Sequence, residues 1–255
     1  MELEEELRRK IAQIQPLDER AMALAKKRWD SIAHPLHSLG LLEDAIVTIA
    51  GAQGSHQVEL NKRCVTPFCA DNGVVAQGVT QSEQDVTTIV TKNFCSGEAS
   101  VCVMARVAGA DVIPVDIGVA QDVTEPGLRV HKIAYGTADI TQGPAMTREQ
   151  AADAILYGMN LVKELKEEGY RLIATGEMGI GNTTTSSALL SVLLHRPDIR
   201  RSHRRARGRR CAVPCRRRSR SVFPGNRPRR ARRGRPRSAA GRRPARLRAR
   251  RRRRA

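Results

Sequence analysis

Leu3, Leu7, Ile11 and Ile14 recur at helical spacing, which predicts an amphipathic helix that Pro16 ends. Asp18 supplies a cap for a second helix reaching about residue 32. After a break at Pro35 and Ser38, a third helix is expected from about 39 to 52. The pattern then changes. The run VTPFCA at 65–70 is short, apolar and followed by Asp71-Asn72-Gly73, the profile of a buried parallel strand that opens into a functional loop. That loop leads to a helix starting at Gln84 or Asp85 and ending near 95, then to a small-residue helix over 97–107. DVIPVDIGV at 111–119 reads as the next strand, with Asp116 near its carboxyl end. Residues 120–144 have no clear period, so a long excursion with short pieces of structure is expected. Helix signals return over 147–169, opened by the capping box Thr147-Arg148-Glu149-Gln150 and stopped by Gly169. An apolar strand follows at 170–174, and an apolar helical segment at 186–194.

Strands that alternate with helices imply βαβ units. The expected fold is therefore α/β, with a mostly parallel Rossmann-like sheet, flanking helices and an N-terminal helical subdomain. The helical segment would span 1–53 and the α/β domain 54–195. Asp71, Asp116 and residues 176–182 all fall at carboxyl ends of strands, where such sheets bind ligands.

Charge divides the chain once more. The net charge is +19, yet residues 196–255 hold 28 arginines, no lysine and one acid, Asp198, giving +27 and leaving −8 for the remainder. Arginine mixed with Pro, Gly, Ala and Ser cannot build a core, so this Arg-rich tail is expected to be disordered. Such a composition is also what GC-rich DNA yields out of frame, and a frameshift after about residue 195 is the favoured reading. The rival is a basic arm that binds polyanions such as RNA or DNA without sequence preference. With one Phe, Phe223, and no Tyr or Trp, the tail lacks stacking platforms. The charged N-terminus and the absence of a membrane-length apolar run point to a cytoplasmic protein with no membrane association. Cys64, Cys69, Cys95 and Cys102 lie in or beside apolar runs, Cys211 and Cys215 lie in the tail, and no C-x-x-C pair occurs. Reduced thiols are expected, and no metal site.

The chemistry is concentrated in ATGEMGIGNTTTSS at 174–187. A strand, a glycine-rich turn and a helix start leave the first amides of the helix without internal partners, and an anion can take them. Gly176, Gly179 and Gly181 allow close approach, while Asn182, Thr183 and Thr184 add side-chain donors where the helix wants its cap. The spacing is that of a Walker A loop, but Asn182 stands where the lysine should be, so a monophosphate site is expected instead of a triphosphatase. A ligand-free glycine turn gives the same pattern. Glu177 would be repelled by a phosphate and must face a neutral or proton-bearing group. A dehydrogenase is disfavoured, since the first strand-to-helix turn has no G-x-G-x-x-G.

The strings CADNGVVAQGVT at 69–80, TKNFCSGEASVCVMARVAGADVIPVDIGV at 91–119, PAMTREQA at 144–151 and GEMGIGNTTTSSA at 176–188 resemble the nicotinate-nucleotide:dimethylbenzimidazole phosphoribosyltransferase family of cobalamin lower-ligand synthesis. PLHSLGLLED upstream is similar to a family motif, with His37 where many members have glycine. The resemblance covers about residues 16–195. It implies that a benzimidazole nitrogen attacks the ribose of nicotinate mononucleotide, releasing nicotinate and giving α-ribazole 5′-phosphate, with no metal, cofactor or triphosphate. It places Gly179, Ile180, Gly181, Asn182 and Thr183 on the 5′-phosphate, Glu177 on the acceptor ring NH as the catalytic carboxylate, and Ser82, Val90 and Met178 in the acceptor pocket. It also implies a homodimer. The family's principal base, a glutamate in an E-G-x-G-A segment, has no counterpart here, so impaired activity is expected. The alternative is a polyanion-binding protein on a retired enzyme domain. A parallel sheet that stops after 195 would leave an unpaired edge and an uncovered apolar face.

Overall fold

The computed structural model describes residues 2–195. The Arg-rich segment, with its expected disorder, Cys211 and Cys215, lies outside the described residues. Three helices open the chain: α1 (Glu2–Ala12), α2 (Glu19–Asp30) and α3 (Leu41–Gln53). Asp18 caps α2 as expected, its Oδ1 accepting from the Ala21 amide at 2.9 Å. The cap of α3 is Gly40, which lies in a conformation that disfavours side chains, φ 53°. His37 nearby also has positive φ, 56°, which explains why glycine suits that position.

Strand β1 (Arg63–Ala70) is followed by a 3-10 turn at Gly73–Gln77, then α4 (Asp85–Ser96) and α5 (Ser100–Ala108). The expected strand over 111–119 forms as two pieces, β2 (Asp111–Val112) and β3 (Val115–Gly118), both parallel to β1. Pro114 separates them, since it has no amide to give to a ladder. The excursion over 120–144 contains only the short β4 (Arg129–Val130), parallel to β3. Helix α6 (Arg148–Glu167) carries the predicted capping box, with Thr147 and Gln150 bonded reciprocally at 2.9 and 3.1 Å. Then come β5 (Leu172–Met178), parallel to β1, and α7 (Asn182–Leu193).

All pairings in the sheet are parallel, with β1 at the centre. On one side Cys64, Val115, Leu161, Leu165 and Tyr170 form a core joined by Phe68, Ile173 and Tyr157. A second cluster gathers Cys69, Val119 and Val123 with Phe94 and Met178. Helix α1 lies on α6, across the boundary expected at 53/54, with Arg148 Nε 2.7 Å from Glu4 Oε1.

Two aspartates are buried in this part of the sheet, Asp71 just past the carboxyl end of β1 and Asp116 within β3. Asp116 Oδ1 accepts from the amides of Gly118 and Val119, and its Oδ2 lies 3.0 Å from Lys132 Nζ. Lys132 also donates to the carbonyls of Val119 and Gln121. This lysine therefore pins the aperiodic excursion to the sheet while neutralising a charge that burial would otherwise make costly. Among the described residues no helix is long and apolar enough to cross a membrane, and no group of His, Cys, Asp and Glu could hold a metal ion.

Candidate active site

The glycine-rich segment is built differently from its local sequence pattern. The strand expected at 170–174 runs instead to Met178, because β5 pairs with β1 continuously from Arg63↔Leu172 to Cys69↔Met178. Gly176 and Glu177 thus belong to the strand, and only residues 179–181 make the bend. Helix α7 starts at Asn182, earlier than the expected 186, although Thr and Ser are weak helix formers. Pairing and tertiary contact override local propensity at both ends.

Two glycines are required by the surroundings. A Cβ at Gly179 would collide with the Ala70 carbonyl oxygen, and Gly181 has φ 85°. The bend therefore presses directly on the end of β1. Its peptides are held from outside: the Ile180 amide donates to Thr87 Oγ1 at 3.1 Å, and Asn72 Nδ2 donates to the Ile180 carbonyl at 3.1 Å. Thr185 Oγ1 in turn donates to Asn72 Oδ1 at 3.0 Å.

Gly181 is the cap of α7, with no side-chain cap hydrogen bond, so Asn182 does not fill the capping role expected of it. Its side chain turns to Glu177 instead, Nδ2 donating to Oε1 at 2.7 Å. The proton-bearing group that Glu177 faces is thus an amide of its own loop. Thr183 Oγ1 donates to Asn182 Oδ1 at 3.2 Å. The Asn182 amide donates to Gly179 O, and that of Thr184 to Gly181 O. Among the described residues, the amides of Gly181 and Thr183 have no partner. These are the donors a helix N-terminus offers to an anion.

Next to this bend lies a cavity of about 450 Å³, lined by Val90, Asn93, Phe94, Glu98, Ser100 and Glu177 among others. Its size falls within the range of small-molecule sites, roughly 300–1,000 Å³. Val90 and Glu177, both expected at an acceptor pocket, meet here. Ser82 and Met178 are not among the lining residues: Ser82 sits exposed in the turn before α4, and Met178 packs against the core of Cys69, Val119 and Val123. Glu98 and Ser100 are additions that sequence reasoning missed, and Asn72 and Thr87 were missed as braces. Their only signal was position: Asn72, Glu98 and Ser100 stand in or beside loops, and Thr87 lies in the first turn of α4.

A smaller cavity of about 100 Å³ lies at the ends of β1 and β3, lined by apolar residues including Ala70, Ile117, Ile133 and Met146. The four described cysteines are free, as expected. Burial pushes the Cys69 thiol up to about 11 and also raises Cys64 and Cys95, so none of these three is primed as a thiolate nucleophile.

A model of a family described as phosphoribosyltransferase matches residues 14–205. The nicotinate-nucleotide–dimethylbenzimidazole phosphoribosyltransferase of Clostridium acetobutylicum is 44% identical over 183 residues, covering 72% of this chain and 52% of its own. Its namesake in Chloroflexus aggregans is 45% identical over 188 residues, covering 73% and 53%. A crystal structure of the Thermus thermophilus protein of the same name superposes with a TM-score of 0.67 at 40% identity, covering 71% of this chain and 55% of that one. The chain thus spans about half the length of the curated relatives it matches. Matched over most of its described residues by the family model and sharing the fold of a solved relative, this chain belongs to the phosphoribosyltransferase family.

Proposed function

We propose that the site transfers the phosphoribosyl group of nicotinate mononucleotide to 5,6-dimethylbenzimidazole, a reading supported by the relatives' name, nicotinate-nucleotide–dimethylbenzimidazole phosphoribosyltransferase. The observation that carries this reading is the pairing of two free amides, on Gly181 and Thr183, with an adjoining cavity that holds Glu177. The 5′-phosphate binds at the bend 179–183, with Gly181 and Thr183 giving amides and the other three residues shaping the turn. The acceptor ring lies in the cavity against Val90 and Phe94.

In the reaction one ring nitrogen forms a bond to the ribose anomeric carbon while the bond from that carbon to nicotinate breaks, its electron pair leaving with nicotinate. The other ring nitrogen loses its proton to a carboxylate, for which Glu177 is placed. Such a base contributes about two to four orders of magnitude. Its hydrogen bond from Asn182 holds the carboxylate in place beforehand. The reaction as written needs no metal or cofactor. A cytoplasmic enzyme and a homodimer fit this reading. The polyanion-binding alternative rests on residues outside those described and gains no support from the comparisons.

Purified full chain incubated with nicotinate mononucleotide and dimethylbenzimidazole tests the reading by chromatography of the products. Formation of nicotinate and ribazole phosphate in equal amounts is expected, with Glu177→Gln lowering the rate about 100-fold. No product, or a rate indifferent to Glu177→Gln, would contradict it.

A further inference from the structure

The bend between β5 and α7 is fixed by groups that lie outside it. Thr87 is fully buried on α4, and Asn72 is half-buried just past the end of β1. Between them they hold both peptide planes that flank Ile180. Thr87 takes the N–H of the plane before it, and Asn72 gives a hydrogen bond to the C=O of the plane after it.

The second plane also contains the N–H of Gly181. In a planar trans peptide the C=O and N–H point in opposite directions. Pinning the Ile180 carbonyl to Asn72 therefore aims the Gly181 amide away from Asn72, and that amide has no partner among the described residues. Asn72 is itself held by Thr185 from the first turn of α7, so strand end, bend and helix start form one closed hydrogen-bonded unit. The unit allows little slack, because Gly179 already touches Ala70 O and Asn72 Nδ2 too closely for any side chain.

We propose that Asn72 and Thr87 are positioning residues for the anion loop. Asn72 sets the direction of the Gly181 amide, and Thr87 locks the preceding peptide. This deepens the phosphate reading given above and rests on it. Neither residue touches the ligand; each acts by removing conformations the loop would have to leave on binding, which is where preorganised sites gain affinity. Thr87 has a second consequence. It shares a face of α4 with Val90, three residues on, and Val90 lines the acceptor cavity. One helix thereby sets the spacing between the phosphate loop and the wall of the neighbouring pocket.

Thr87→Val removes the hydroxyl at nearly constant shape, Thr87→Ser restores it, and Asn72→Leu removes the other brace. The full chain is titrated with nicotinate mononucleotide and separately with dimethylbenzimidazole by calorimetry. Thr87→Val and Asn72→Leu are each expected to weaken mononucleotide binding about tenfold, the order expected when one partner of a buried hydrogen bond is lost, while dimethylbenzimidazole binding stays within about twofold. Thr87→Ser is expected to return mononucleotide affinity to within about threefold of the parent.

Hydrogen exchange of the Ile180 amide in ligand-free protein gives an independent reading. Thr87→Val is expected to speed it at least about tenfold, and Thr87→Ser to slow it again. Should one variant fail to fold, the other, on a different element, carries the test. Unchanged mononucleotide affinity in folded variants of a parent that binds would overturn the positioning role alone. A parent that does not bind nicotinate mononucleotide would overturn the phosphate reading beneath it, and unaltered exchange of Ile180 in Thr87→Val would show the brace itself to be absent in solution.

Discussion

The two sides of the sheet's central strand have unequal fates. Toward β3, the residues of β1 and α6 close over a core in which Leu161 and Leu165 are buried, and α6 contributes four buried residues in all. Toward β5 the ladder is the more continuous of the two, seven pairs in register, yet β5 is exposed along most of its length and α7 buries no residue. Leu189, Val192 and Leu193 of that helix are each more than 60% exposed. Backbone pairing alone, then, does not make a core; a sheet face is buried only when a layer of side chains is laid across it. Among the described residues the site's phosphate loop stands on this less supported side. That makes its internal braces, Asn72 and Thr87, the more consequential.

The comparison can be broken most forcefully at Lys132. Its replacement by methionine leaves Asp116 buried and uncompensated and is expected to cost about 3–5 kcal/mol, read as a fall in the urea midpoint. A loss under about 1 kcal/mol would mean that Asp116 finds water or another partner. The contrast between the sides sharpens with matched truncations. Leu161→Ala in α6 is expected to destabilise by about 3 kcal/mol, and Leu193→Ala in α7 by less than about 0.5 kcal/mol. Equal effects would show that α7 is covered in solution. An effect of opposite sign lies away from both sides: His37→Gly is expected to raise stability by about 1 kcal/mol by relieving positive φ, less whatever its ring gains from Glu43, 3.6 Å away. A decrease would show that this contact outweighs the strain.

Much of the architecture could be read along the chain because its signals are local. Asp18, the Thr147–Gln150 capping box and the periodicity of 147–169 each act within a few residues, and each formed as expected. The errors fall where distant partners decide. Gly176 reads as a turn residue, but seven pairs with β1 draw it into a strand. The helical pattern reads from 186 only, but the bond from Thr185 to Asn72, far away in sequence, helps close a first turn that starts at Asn182. In the site, glycine spacing revealed the bend and Glu177, since turns need small residues wherever they occur. Which amides remain free could not be read, because that depends on Thr87 and Asn72 accepting and donating across the fold. Met178 misled for a similar reason: its neighbours in sequence belong to the site, while its side chain belongs to the core.

The most direct test of the central claim, that the bend over 179–183 grips a sugar phosphate, is an amide NMR titration of the full chain with nicotinate mononucleotide. The Gly181 and Thr183 resonances are expected to shift most, with the response lost in Gly179→Ala, whose new Cβ collides with Ala70 O. Binding that leaves those two amides unmoved, or that survives Gly179→Ala at the parent's affinity, would contradict the claim.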